Sequence, residues 1–119
     1  MRRAITPQTA LISFNMHANN EVGTIQPIEE ISVLAREHGI RFHTDAAQSV
    51  GKISTKVDTL GADMLSIAGH KLYAKRRRRA LYIERRPAGS LTHGAGHQLG
   101  RRAGTESALL AVGFGRPAR

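Results

Sequence analysis

No cysteine and no tryptophan occur in the 119 residues, and prolines number only four. Without thiols there is no disulfide scaffold, no thiolate metal site and no cysteine nucleophile within these residues. Aromatic side chains are scarce: Phe14, Phe42, Tyr73, Tyr82 and Phe114. No apolar run approaches the roughly 20 residues of a membrane-spanning helix, and no hydrophobic signal region follows Met1. Acidic residues are few as well, 9 against 18 Lys and Arg. The length sets a ceiling of one domain. An apolar content of 40% with 12 glycines fits a globular chain rather than a disordered one.

What the sequence has in excess is positive charge, a formal +9. Such a balance suits an anionic partner: nucleic acid, phosphate or an acidic protein surface. The excess is concentrated. Up to Val50 the bases are Arg2, Arg3, Arg36 and Arg41, set against Glu21, Glu29, Glu30, Glu37 and Asp45. Beyond it stand Lys75-Arg76-Arg77-Arg78-Arg79, Arg85-Arg86, Arg101-Arg102, Arg116 and Arg119. One reading is a non-catalytic basic fragment that binds nucleic acid or another anionic partner. The other is a solvated surface. It is favoured because no aromatic residue interleaves the basic run, as a stacking platform would require.

The pattern predicts alternating strands and helices. Leu11–Met16 reads as a strand and His17–Gly23 as the polar loop after it. Pro27 opens a helix with acids in its first turn and Ile28, Ile31, Leu34 and Ala35 on one face; His38-Gly39 closes it. Ile40–Thr44 is a strand running into Asp45, Asp63–Ala68 another ending at Gly69-His70-Lys71, and Ala80–Ile83 a third; Ser107 to Phe114 starts a helix. Strand, helix, strand in this order predicts a βαβ crossover and an α/β fold with a parallel sheet covered on both faces. Chemistry in such sheets gathers just past the carboxyl ends of the strands.

Three polar clusters fall there: Asn19-Asn20-Glu21, His43-Thr44-Asp45-Ala46-Ala47-Gln48 and Gly69-His70-Lys71. Singly, each has an ordinary explanation. An Asp at a strand end caps a helix, a Lys after Gly is solvent-exposed, and His43 and His70 are satisfied structural histidines without a placeable metal partner. Together they fit an aromatic aldehyde cofactor. A Lys amine forms a Schiff base with the aldehyde, and an Asp at the neighbouring strand end keeps the ring nitrogen protonated so that the ring accepts electrons. Gln48, one helical turn past Asp45, is placed to reach the ring hydroxyl.

The stretches MHANNEVGTIQPI (Met16–Ile28), FHTDAAQSVGK (Phe42–Lys52), DMLSIAGHKLY (Asp63–Tyr73) and GAGHQLGRRAGTES (Gly94–Ser107) resemble the cysteine desulfurase and selenocysteine lyase group. These are class-V, fold-type I enzymes dependent on pyridoxal 5'-phosphate (PLP), and the resemblance runs from about Thr6 to Gly115. It implies that Lys71 holds PLP and moves protons on the substrate α-carbon, with His70 beside it on the phosphate side. It further implies that Asp45 pairs with the pyridinium nitrogen and Gln48 with the ring hydroxyl. Asn20 would lie beside cofactor and substrate carboxylate, and Thr105 would reach the phosphate of a neighbouring subunit, hence a homodimer. His43 occupies a family position near the ring. The implied substrate is L-cysteine or L-selenocysteine. The products are alanine and sulfur or selenium for an acceptor protein, as in iron-sulfur cluster assembly, in the cytoplasm or an organelle.

The departures are local. Ala68 stands where many members have Ser. Ala74–Arg79 replaces a glycine-rich turn of equal length, where Arg would be strained at any position of positive φ. In His93–His97 one family glycine is Ala95. By the same resemblance, residues 1–119 form part of the PLP-binding large domain with its mainly parallel seven-stranded sheet, incomplete at both ends. The upstream phosphate loop, the upstream ring-stacking histidine and the downstream arginine and cysteine loop are expected outside these residues.

Overall fold

The computed structural model describes residues 1–73, 79–84, 89–90 and 92–115. Lys75 to Arg78 of the basic run, together with Arg85, Arg86, Arg116 and Arg119, lie outside the described residues. A four-stranded sheet forms in sequence order from β1 (Leu11–Phe14), β2 (Arg41–Asp45), β3 (Met64–Ala68) and β4 (Arg79–Ile83). The first three strands are parallel, pairing Ser13 with His43 and Asp45 with Ser66.

The expected crossover is present. Helix α1 (Ile28–Glu37) links β1 to β2, with Glu29 and Glu30 in its first turn, where carboxylates complement the free backbone N–H groups. Its termination follows the sequence too, since Gly39 takes the left-handed conformation (φ 66°) just past the last turn. Ile28, Ile31, Leu34 and Ala35 are all buried, as their spacing on one face requires. They cover the sheet face that presents Ile12, Phe42 and Leu65, and Leu60 and Ala62 close its edge. Each fully buried side chain of this size stabilises the fold by about 1.5–3 kcal/mol.

Two features depart from the expected layout. A short helix α2 (Val57–Leu60) lies between β2 and β3, where no helical period is legible. Strand β4 runs antiparallel to β3, from Ala68 opposite Arg79 to Met64 opposite Ile83. Connection length explains the reversal. A parallel return needs a crossover of about a dozen residues or more, usually a whole helix, and the chain between Ala68 and Arg79 carries only a 3-10 turn in its described part.

The second face of the sheet has a different character. Alternation places Ser13, His43, Asp45 and Ser66 on it, flanked by Leu11 and Leu81, which are 48% and 52% exposed. His43 bonds Ser13 Oγ through Nδ1 at 2.8 Å and Ser66 Oγ through Nε2 at 2.9 Å, tying three strands together.

One core residue is imperfectly satisfied. Thr44 on β2 is fully buried, and its Oγ1 has no hydrogen-bond partner among the described residues. A buried unpaired hydroxyl costs about 1–3 kcal/mol. Thr44→Val keeps the shape and removes that group, so urea unfolding should shift to a higher midpoint, by about 1 kcal/mol. An unchanged or lower midpoint would mean that the hydroxyl is paired in solution.

Candidate functional site

Asp45 is the last residue of β2, and the chain turns immediately after it. Its Oδ1 accepts the Ala47 N–H at 2.7 Å, while Oδ2 has no partner among the described residues. Ala46 N–H donates to Ser66 C=O and Val50 N–H to Ala46 C=O, so residues 46 to 50 wind a single tight turn above the strand ends. Gln48 sits on that turn.

Lys71 and His70 belong to the 3-10 turn Gly69–Leu72 that follows β3 without a gap. Leu72 is buried and anchors this turn, whereas His70 and Lys71 are exposed. Tyr73 closes it in a left-handed conformation (φ 59°), unusual for a non-glycine residue, with its N–H on Gly69 C=O. The turns after β2 and β3 touch. Gly51 has φ 74°, and a Cβ there would sit 2.9 Å from Leu72 Cδ2, so glycine is what permits the close approach. Asp45 and Lys71 are therefore held at the ends of adjacent parallel strands by packed, turn-forming backbone.

Asn20 comes from the loop after β1. Ala18 and Ile25 form an antiparallel bridge, Asn19 Oδ1 accepts the Glu21 and Val22 N–H groups, and Gly23 supplies positive φ (72°), which makes a small hairpin. From its tip Asn20 Oδ1 accepts from Gln48 Nε2 at 2.9 Å. The Gln48 amide thus keeps a second N–H, and its Oε1 lies 3.5 Å from Lys52 Nζ.

The structure thus brings Asn20, Asp45, Gln48, His70 and Lys71 to one end of the sheet, on three neighbouring loops. Thr105 lies apart on the exposed stretch before α3 (Ala108–Gly115) and bonds to none of them. His43 has both ring nitrogens engaged by Ser13 and Ser66, so neither is left for a ligand. Asn20, His70 and Lys71 are exposed, and Asp45 and Gln48 are half-buried. A cavity of about 310 Å³ opens at the opposite end, where Arg36, Arg41, Asp58, Asp63 and Glu84 meet, and it includes none of these residues. Among the described residues no group of three or more His, Asp or Glu could hold a metal, His93 and His97 included. No helix among them is long and apolar enough to cross a membrane.

Two buried polar residues of this region escaped the sequence reading. His17, at the root of the hairpin, is 4% exposed, and Ser49 is 1% exposed; His17 Nδ1 and Ser49 Oγ are 3.0 Å apart. The only sequence hint was a histidine between an apolar strand and Asn-Asn. Burial pushes the His17 pKa below its ordinary 6.5, and the Glu29 carboxylate opposes that shift in part. The stabilising contribution of neutral His17 is complete above about pH 6.5. It is lost as the pH falls through the lower folded-state value, because the unfolded chain takes up the proton first. Urea midpoints should decline on acidification over this range, and His17→Asn should flatten that part of the profile. Equal slopes would remove His17 from the account.

The donor set fits PLP chemically. A carboxylate with one free oxygen matches a protonated ring nitrogen, an amide N–H matches the ring hydroxyl, and an exposed primary amine matches the aldehyde.

The sequence profile of the family described as aminotransferase class-V matches residues 1–116. "Probable cysteine desulfurase, mitochondrial" of Dictyostelium discoideum is 48% identical over 118 residues, covering 97% of this chain and 26% of that protein. "Cysteine desulfurase IscS" of Ehrlichia chaffeensis is 50% identical over 123 residues, covering 100% of this chain and 30% of that protein. The solved structure titled "SspA in complex with cysteine" superposes with TM-score 0.90 at 47% identity, over 98% of this chain and 34% of that one. A structure titled "NIFS-LIKE PROTEIN" gives TM-score 0.89 at 34% identity, over 98% and 32%. The chain spans less than a third of the length of these curated relatives.

Proposed function

The chain belongs to the aminotransferase class-V family, and on that premise we propose that it supplies the central cofactor-binding part of a PLP-dependent cysteine desulfurase. The family is PLP-dependent. Residues 1–119 would be a portion of the large domain, which is in keeping with the 26% and 30% of two relatives that they cover. The observation that carries the reading is the neighbourhood of Asp45 and Lys71, at the carboxyl ends of two adjacent parallel strands.

When bound, PLP supplies an electron sink for the pair left behind when a bond at the substrate α-carbon breaks. Lys71 Nζ would hold the cofactor aldehyde and then carry a proton to and from that carbon, with His70 beside it. The free Asp45 oxygen would accept the ring N–H and keep the ring protonated. Gln48 would donate its second amide hydrogen to the ring hydroxyl oxygen, and Asn20, steadied by Gln48, would orient the substrate. Thr105 would serve the phosphate of a second copy, making a homodimer.

The substrate proposed is L-cysteine, with L-selenocysteine as the close chemical alternative, and the product is alanine. The thiol that takes the sulfur must come from outside these residues, which contain no cysteine. The compartment proposed is the cytoplasm, or a mitochondrion-like organelle if the source is eukaryotic.

Titrating the chain with PLP tests the reading directly. A saturable visible absorbance band distinct from free PLP is expected. Its absence at millimolar PLP would remove the claim that these residues bind the cofactor without further chain.

A further inference from the structure

We infer that the buried hydrogen bond between His17 and Ser49 is a positioning device that fixes Asn20 relative to Asp45 and Gln48. The inference rests on the cofactor site proposed above and adds to it two residues that touch no ligand. His17 begins the hairpin whose tip carries Asn20, and Ser49 directly follows Gln48. The partners are 32 positions apart in the chain, so their bond joins two loops that the sequence leaves independent. Both side chains are buried, which shields the bond from competing water.

Ser49 has one hydroxyl hydrogen, and it donates this to Ala46 C=O at 3.2 Å. With that hydrogen on Ala46 C=O, His17 donates to Ser49 Oγ and its neutral ring carries the proton on Nδ1, which is the arrangement the inference uses. The backbone of His17 reinforces the same junction. Its N–H donates to Asp45 C=O at 2.8 Å, and its C=O accepts the Gln26 N–H at 2.9 Å. One residue thus joins the two ends of the Asn20 hairpin to each other and ties them to the segment that bears Asp45 and Gln48. Placement of such groups matters, because a shift of about 1 Å can cost on the order of 100-fold in rate.

The test uses the full chain, PLP as the probe, and amide hydrogen exchange as a readout that needs no cofactor. The variants are His17→Leu, Ser49→Ala, their combination, and His17→Asn, whose amide can donate from near the Nδ1 position. His17→Leu and Ser49→Ala should each weaken PLP binding about tenfold, the pair no more than either alone, and His17→Asn much less. Exchange at the Glu21, Val22 and Gln26 amides should accelerate at least about tenfold in His17→Leu, with Ile31 and Leu34 of α1 unchanged. Nitrogen NMR should find the His17 proton on Nδ1. Unchanged PLP affinity and exchange in His17→Leu would overturn the inference, and so would an acceleration spread equally through α1. If no chain binds PLP, wild type included, the claim that these residues bind the cofactor without further chain fails, while the exchange pattern still decides the positioning role.

Discussion

Lys71→Ala is expected to reduce the visible absorbance of the PLP-treated chain to that of free PLP. The sequence has four lysines, Lys52, Lys56, Lys71 and Lys75, so competing amines are few. Among the lysines of the described residues, only Lys71 sits in the turn that directly follows β3 and packs against the turn after Asp45. Lys52 is directed toward Gln48 Oε1, and Lys56 precedes α2. Lys52→Ala and Lys56→Ala should therefore retain the band. Under the proposed assignment Lys71→Ala removes a covalent anchor, not a modest contact, and with it the base that would move the substrate proton. In a catalytically competent protein containing this chain, loss of the proton-transfer role alone would slow alanine formation by about 10²–10⁴-fold. A band surviving Lys71→Ala but lost in Lys52→Ala would move the anchor to the other side of Gln48.

Phe42→Ala should have the largest effect on stability. Phe42 is 1% exposed at the centre of the sheet face that α1 covers, in contact with the cluster of Ile12, Ile28, Ile31 and Leu65. Its backbone N–H also anchors the Asp63 carboxylate at 2.8 Å, which ties the start of β2 to the start of β3. Removing a buried ring costs about 3–5 kcal/mol. A domain's whole stability is about 5–15 kcal/mol, so the variant should lose a large part of its stability. Without tryptophan, urea titration followed by circular dichroism is the suitable measurement. Leu81→Ala, on the opposite face and 52% exposed, should change stability by less than about 0.5 kcal/mol. Equal losses in the two variants would mean that the α1-covered face is not the core.

Much of this fold was legible because hydrophobic spacing reports burial. Ile28, Ile31, Leu34 and Ala35 recur at helical spacing, and all four point into the core. Phe42 and Thr44 alternate with Arg41, His43 and Asp45, and the alternation separates buried from half-exposed positions. Direction is another matter. Nothing in Ala80–Ile83 encodes whether β4 runs with or against β3; that follows from how little chain joins them. Helix α2 is four residues long, too short for a period to appear.

The site divides in the same way. Asp45, Gln48 and Lys71 stand out because strand ends are where polar residues need a reason, and motif resemblance supplied the roles proposed for them. The contacts of His17 with Ser49, and of His43 with Ser13 and Ser66, were not visible. Each depends on tertiary pairing between residues 23 to 32 positions apart, which a linear pattern does not carry.

Lys71 is the amine proposed to hold PLP. Borohydride reduction of the PLP-treated chain, followed by peptide mapping, tests it most directly, because reduction fixes the cofactor to whichever amine held it. One modified peptide is expected, with the adduct on Lys71. An adduct on Lys52, Lys56 or Lys75 in its place, or the same adduct spread evenly over all four lysines, would contradict it.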